Sequence, residues 1–249
     1  MLNKKSLIKQ ININEIAELA TDMTELKNAI IVFQYALDSV NSFYKVYQMN
    51  RKGSKGSTTH EEQDLLRAML VFACSGLDAV VKQLIKDSLN KVIEKDDQGK
   101  GARKEFQKFV ERRIKRNDIA DDGNKQFQID TNYIAQVLTS PDPKIKLLSS
   151  LQKYLSDDSL QSRDQLLKAA AHFAITKDQL LTDADMTQKA FNIRNEIIHE
   201  MDVDLNEIAK GRKKRKMRSS SEMVGYANNI ANVALNFINM VANKINGTP

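Results

Sequence analysis

The 249-residue sequence predicts an all-α fold, a bundle of long antiparallel helices, on three observations. Apolar residues recur at alternating spacings of three and four over several long segments, which places one buried stripe on each helix. Two of these segments open with a capping-box pattern, Ser or Thr followed three residues later by Glu. Finally, 3 Pro and 9 Gly are too few turn formers for a β-sandwich or barrel. Apolar residues at 41% and charged residues at 28% are the balance of a chain that buries a core, which excludes wholesale disorder.

The first helix is expected over 14–49, where Ile16, Leu19, Met23, Leu26, Ile30, Phe33, Leu37, Val40, Phe43 and Tyr47 keep the stripe spacing. Residues 51–57 (RKGSKGS) break the pattern and read as a loop. They are not a phosphate loop, since no Gly-Lys-Ser/Thr follows at the required spacing. Thr58 or Thr59 with Glu61 or Glu62 forms the first capping box. The helix it opens, expected to run to about 93, is the most apolar in the chain and belongs at its centre. Ser75 and Gly76 in its middle let a neighbouring helix come close, although an interior Gly costs about 1 kcal/mol.

Residues 94–161 read as an insertion packed beside the bundle of one domain spanning 1–249, with helices expected around 104–114, 131–138 and 144–155. Helical patterning resumes at 162–174 and 182–201. The last helix opens with a second capping box, Ser219 to Glu222. Met223, Ala227, Ile230, Ala234, Phe237, Val241 and Ile245 then form nearly a heptad seam, which suits either the bundle interior or a subunit interface.

A single cysteine, Cys74, rules out an internal disulfide framework and fits a reducing compartment. His60, His172 and His199 are too scattered for a His/Cys zinc cluster, so no metal and no cofactor is expected. No segment reaches the roughly 18 apolar residues of a membrane span, and residues 1–10 lack a signal core. The expectation is a cytoplasmic protein that does not engage a membrane.

The net charge of +6 has one source. Seven cations and no acid lie in residues 210–218 (KGRKKRKMR); without them 31 basic residues face 32 acidic ones. A local patch concentrates field where it attracts a polyanion, while a solvated loop is the plainer account. Arg212, Lys213, Lys214, Arg215, Lys216 and Arg218 are therefore candidate contacts to a nucleic-acid backbone.

One segment carries candidate chemistry: Phe191-Asn-Ile-Arg194-Asn195-Glu-Ile-Ile-His199-Glu-Met-Asp202. On a helix at about 100° per residue, Arg194 falls inside the arc of Ala190, Ile193, Ile197, Ile198 and Met201. Asn195, His199 and Asp202 line the adjacent edge as i, i+4, i+7, and Glu196 and Glu200 face solvent. A guanidinium aimed into an apolar face needs a partner. An internal carboxylate (Asp78 on the central helix is the nominee), a polar subunit interface or a phosphate ligand would each serve. The nearby histidine favours the phosphate, because imidazole titrates near neutral pH and moves protons. An Arg and a His without metal ligands suit phosphodiester cleavage, one neutralising charge on phosphorus and the other shuttling protons.

Arg194-Asn195-x-x-x-His199 resembles the R-x(4–6)-H motif of the HEPN superfamily, in which the residue after Arg is typically polar. Its helical setting is similar too, and Cys74-Ser75-Gly76-Leu77-Asp78 resembles the RiboL-PSP-like branch of that superfamily. The likeness covers about 14–93 and 162–245; the insertion and the basic run have no counterpart in it. The resemblance implies a metal-independent endoribonuclease of the toxin or phage-defence kind. It would be a homodimer with a composite cleft, cutting RNA by 2′-OH attack to leave 2′,3′-cyclic phosphate and 5′-OH ends, with a neutralising partner protein in some settings. It implies His199 as general base or acid, Arg194 as stabiliser of the phosphorane and Asn195 as orienting group. Asp78, the nominated partner of Arg194, and Asp202, beside His199 on the helix edge, are read from the helix faces as supporting residues. Arg194 and His199 lie about 140° apart on one ideal helix, which a second copy or a distorted helix end would resolve. The alternative function is a non-catalytic helical module that binds RNA or protein, with Arg194 as an interface anchor. DNA binding through the basic run is a third.

Overall fold

A computed structural model describes residues 23–53, 56–96, 98–119, 125–157, 159–160, 162–210 and 215–247. Helix α1 (Thr24–Arg51) and helix α2 (His60–Asp87) form an antiparallel pair. Asn28 Nδ2 donates to Asp87 Oδ2 at 2.9 Å at one end, and Arg51 Nη1 lies 3.5 Å from Glu62 Oε2 at the other. Ile16 and Leu19, expected to extend α1, lie outside the described residues. The capping box that opens α2 forms with Thr59 and Glu62: the Glu62 amide donates to Thr59 Oγ1 at 3.2 Å, and the Thr59 amide to Glu62 Oε2 at 2.9 Å. The close approach expected at Gly76 is present. A Cβ built there would stand 2.4 Å from Ala36 Cβ, so only Gly lets α1 lie this near.

The apolar run does not continue unbroken to 93. It stops at Ser88, whose hydroxyl donates to Glu25 O at 2.8 Å, and a short helix α3 (Leu89–Lys95) follows. Helix α4 (Ala102–Ile114) then leads into two strands, β1 (Lys115–Ile119) and β2 (Lys125–Ile129), paired antiparallel with Lys115 opposite Ile129. This hairpin departs from the purely helical reading of the insertion. Helices α5 (Thr131–Leu138) and α6 (Pro143–Ser156) complete it, the latter capped by Asp142 with Pro143 in its first turn. Phe109, Leu148, Leu151, Leu155 and Leu160 join the same core as the long helices, so the insertion is packed onto the bundle.

Helices α7 (Arg163–His172), α8 (Lys177–Leu180), α9 (Ala184–Glu200) and α10 (Leu205–Ala209) follow, and α11 (Ser220–Asn246) closes the bundle. All seven residues of the α11 seam are buried within the chain, against α2 above all, which settles that seam as interior packing. The box expected at its start is absent: Ser219 precedes the helix, but its Oγ sits 2.8 Å from Ser221 Oγ instead of capping a backbone amide. By length and composition alone α2 could cross a membrane. Its role here is that of the core helix, with Leu66, Leu70, Leu77, Val81 and Leu84 buried between α1 and α11.

Candidate active site

Helix α9 carries the motif, and its placement follows from its first turns. Asp183 caps it by accepting from the Met186 amide at 2.8 Å. Thr187 Oγ1 donates to Asp183 O at 2.8 Å and accepts from the buried Asn229 Nδ2 at 2.7 Å, which pins α9 to α11. Ala190, Phe191 and Ile197 are buried against the bundle.

This register lays Arg194 beside α2 near Cys74. Arg194 is half-buried; its Nη1 donates to Asn195 Oδ1 at 3.0 Å, and its Nε is buried without a hydrogen-bond partner among the described residues. Burial pushes the Cys74 thiol up to about 12 against the opposing pull of the Arg194 charge, so Cys74 is a packed, unreactive thiol. Asp78, the nominated carboxylate partner of Arg194, is engaged elsewhere. It accepts from the Leu160 amide at 2.7 Å and pairs with Lys82 at 3.2 Å, tying the turn before α7 to the central helix.

His199 lies in the last turn of α9 and is exposed, with exposed Ile198 and Met201 beside it. Asp202 does not extend the edge of Asn195 and His199, because the helix ends at Glu200. Met201 and Asp202 take left-handed backbone, at φ 52° and φ 56°. The turn brings Asp202 inward, where its side chain is fully buried. It accepts from Arg67 Nε at 2.8 Å, from Arg218 Nε at 3.2 Å and from Arg218 Nη2. Burial alone would raise the Asp202 carboxyl, but the hydrogen bonds from Arg218 and Arg67 outweigh it and hold the group below its ordinary range.

The basic run divides at this point. Arg212, Lys213 and Lys214 lie outside the described residues. Arg215, Lys216 and Arg218, read above as contacts to a nucleic-acid backbone, are counter-ions within the chain. Arg215 Nη1 meets Asp64 at 2.6 Å and its Nε donates to Met201 O at 3.1 Å. Lys216 Nζ meets Glu196 Oε2 at 2.8 Å, and Arg218 shares Glu196 with it. Glu196, expected to face solvent, is thus held below its ordinary range, chiefly by the Lys216 hydrogen bond.

Sequence reasoning missed Arg67, although the argument that singled out Arg194 applies to it with more force. Arg67 sits between Leu66 and Met69, a turn before Leu70 and two before Cys74, and only 3% of its side chain is exposed. Among the described residues no group of three or more His, Cys, Asp and Glu side chains stands ready to hold a metal ion. The site therefore offers a guanidinium with a spare donor, an amide that orients it, and an accessible imidazole on the same helix. Compared with family models, curated proteins and solved structures, the chain matches none.

Proposed function

We propose that the protein is a HEPN-type, metal-independent endoribonuclease that works as a homodimer. The observation that carries this reading is Arg194: half-buried, oriented by Asn195, with a buried Nε that no group among the described residues satisfies. A buried donor left without an acceptor is costly, and the backbone phosphate of RNA supplies one.

In the proposed cleft two copies of α9 meet and the two Arg194/His199 pairs face one phosphodiester. One imidazole takes the proton of the ribose 2′-OH as its oxygen bonds to phosphorus. The other gives a proton to the 5′-oxygen as the P–O5′ bond breaks. Arg194 neutralises the extra charge on the phosphorane. Products are a 2′,3′-cyclic phosphate and a 5′-OH, so protons and electron pairs balance without a further reagent. The exposed apolar side chains Ile198, Met201 and Leu205 flank His199 in the chain, and they favour a second copy as the surface that covers them.

A non-catalytic binding module is the second reading, favoured by the internal engagement of Arg215, Lys216 and Arg218, which leaves fewer cations for a substrate. Single substitutions separate the two. Arg194→Ala and His199→Ala proteins each lose cleavage, and a mixed dimer refolded from parent and His199→Ala chains, left with one imidazole, is impaired as well. Variants that each cleave as fast as the parent would overturn the proposal.

A further inference from the structure

The last turn of α9 is exposed where His199 projects, and helix ends of this kind fray unless something holds them. Arg194, a turn and a half earlier, is half-buried and held to Asn195 by its Nη1, with its charge within electrostatic reach of Cys74 on α2. The two groups are therefore fixed by different means. What holds the end carrying His199 is one buried carboxylate and the backbone around it.

Asp202 gathers three segments. Its amide donates to Glu196 O at 3.1 Å, closing the end of α9. Its carbonyl accepts from the Lys216 amide at 2.8 Å, and Val203 bridges to Arg215 in antiparallel fashion, which lays 215–218 along the helix end. Its carboxylate accepts from Arg67 of α2 and from Arg218. Arg67 also donates to Lys216 O at 2.7 Å, and Glu196 receives Lys216 and Arg218 from the other side. Two successive left-handed residues, neither of them Gly, persist only where their surroundings impose them.

We infer that Asp202 is a positioning residue for His199: shared between Arg67 and Arg218, it locks the left-handed end of α9 and so keeps the imidazole in place relative to Arg194. This inference rests on the ribonuclease reading of His199. It also gives the second half of the basic run a task other than holding RNA.

The test uses the full chain with Asp202→Asn, and with Arg218→Gln as the milder lesion that keeps the Arg67–Asp202 pair. Amide hydrogen exchange is measured by mass spectrometry across 197–203 and across the core of α2, and RNA cleavage is measured over a range of substrate concentrations. Exchange at 197–203 rises about tenfold while the core of α2 keeps its protection. kcat falls about tenfold with KM held within about twofold, since a displaced imidazole weakens the transition state and not the bound RNA. Unchanged exchange at 197–203 in Arg218→Gln overturns the inference, as does an unchanged kcat where exchange has risen. If the parent itself cuts no RNA, the ribonuclease reading fails, and the exchange result still decides whether Asp202 locks the helix end.

Discussion

Arg67 of α2 and Asp202, 135 residues further along the chain, are joined by an ion pair of 2.8 Å whose side chains are 3% and 0% exposed. Two charges out of water are tolerated because their hydrogen bonds are made. Arg67 uses Nε on Asp202, Nη1 on Asp64 at 3.0 Å and Nη2 on Lys216 O at 2.7 Å. Such a pair adds little net stability over a well-packed apolar substitute, but breaking it from one side is severe. Its effect is to fix where α9 ends and how residues 215–218 lie against that end.

Replacing one member tests that reading. Arg67→Met leaves Asp202 buried with Arg218 alone, and stability falls by about 3 kcal/mol, the low end for a broken buried pair. Denaturant unfolding reads this as a lower midpoint at an unchanged slope.

The α1–α2 contact is equally local. Gly76→Ala forces a methyl to within 2.4 Å of Ala36 Cβ, so the two longest contacting helices must separate. The expected loss is about 1–3 kcal/mol, read as a lower melting temperature. Adding Ala36→Gly makes room and recovers much of it, which a double-mutant cycle records as a coupling between the two sites.

Binding to RNA reports how many cations of the run are available. Seven engaged phosphates would give log K against log [salt] a slope of about −5; three would give about −2. Arg215, Lys216 and Arg218 already have carboxylates and Lys210 pairs with Glu207 at 3.1 Å, so the shallower slope is expected. Lys213→Gln reduces it by about 0.7, while Lys216→Gln lowers the melting temperature and leaves the slope alone.

His172 gives the protein a pH dependence of its own. Burial depresses its imidazole to about 4, with Glu105 opposing and Arg112 and Lys168 assisting, and its Nδ1 has no hydrogen-bond partner among the described residues. The folded value lies below the unfolded one near 6.5, so the neutral form favours the fold. That contribution is complete above about pH 6.5 and is lost as pH falls towards 4, at most about 3 kcal/mol. Urea unfolding at pH 7 and pH 5 shows the decline in the parent, and His172→Leu flattens it.

Helices were legible wherever the period of three and four was sustained: 131–138 was expected and Thr131–Leu138 is observed, and the insertion helix expected at 144–155 is Pro143–Ser156. The two capping boxes shared one signature and had different fates, because Ser219 turns its hydroxyl to Ser221 instead of to a backbone amide. The paired strands KRNDI and KQFQI were not expected, because segments of five residues are too short for periodicity to tell strand from helix. The placement of Arg194 beside the bundle core followed from its helical phase. The position of Asp202 did not, because no Gly marks the left-handed end of α9 and its partners lie on α2 and at the far end of the basic run, distances that periodicity does not reach.

The most direct measurement incubates end-labelled RNA with the parent and with His199→Ala in excess EDTA and maps the product ends. Cleavage by the parent alone, leaving 2′,3′-cyclic phosphate and 5′-OH ends while both proteins keep the same helical circular dichroism, is the result this account predicts. Equal cleavage by a folded His199→Ala protein, or no cleavage by either, would contradict it.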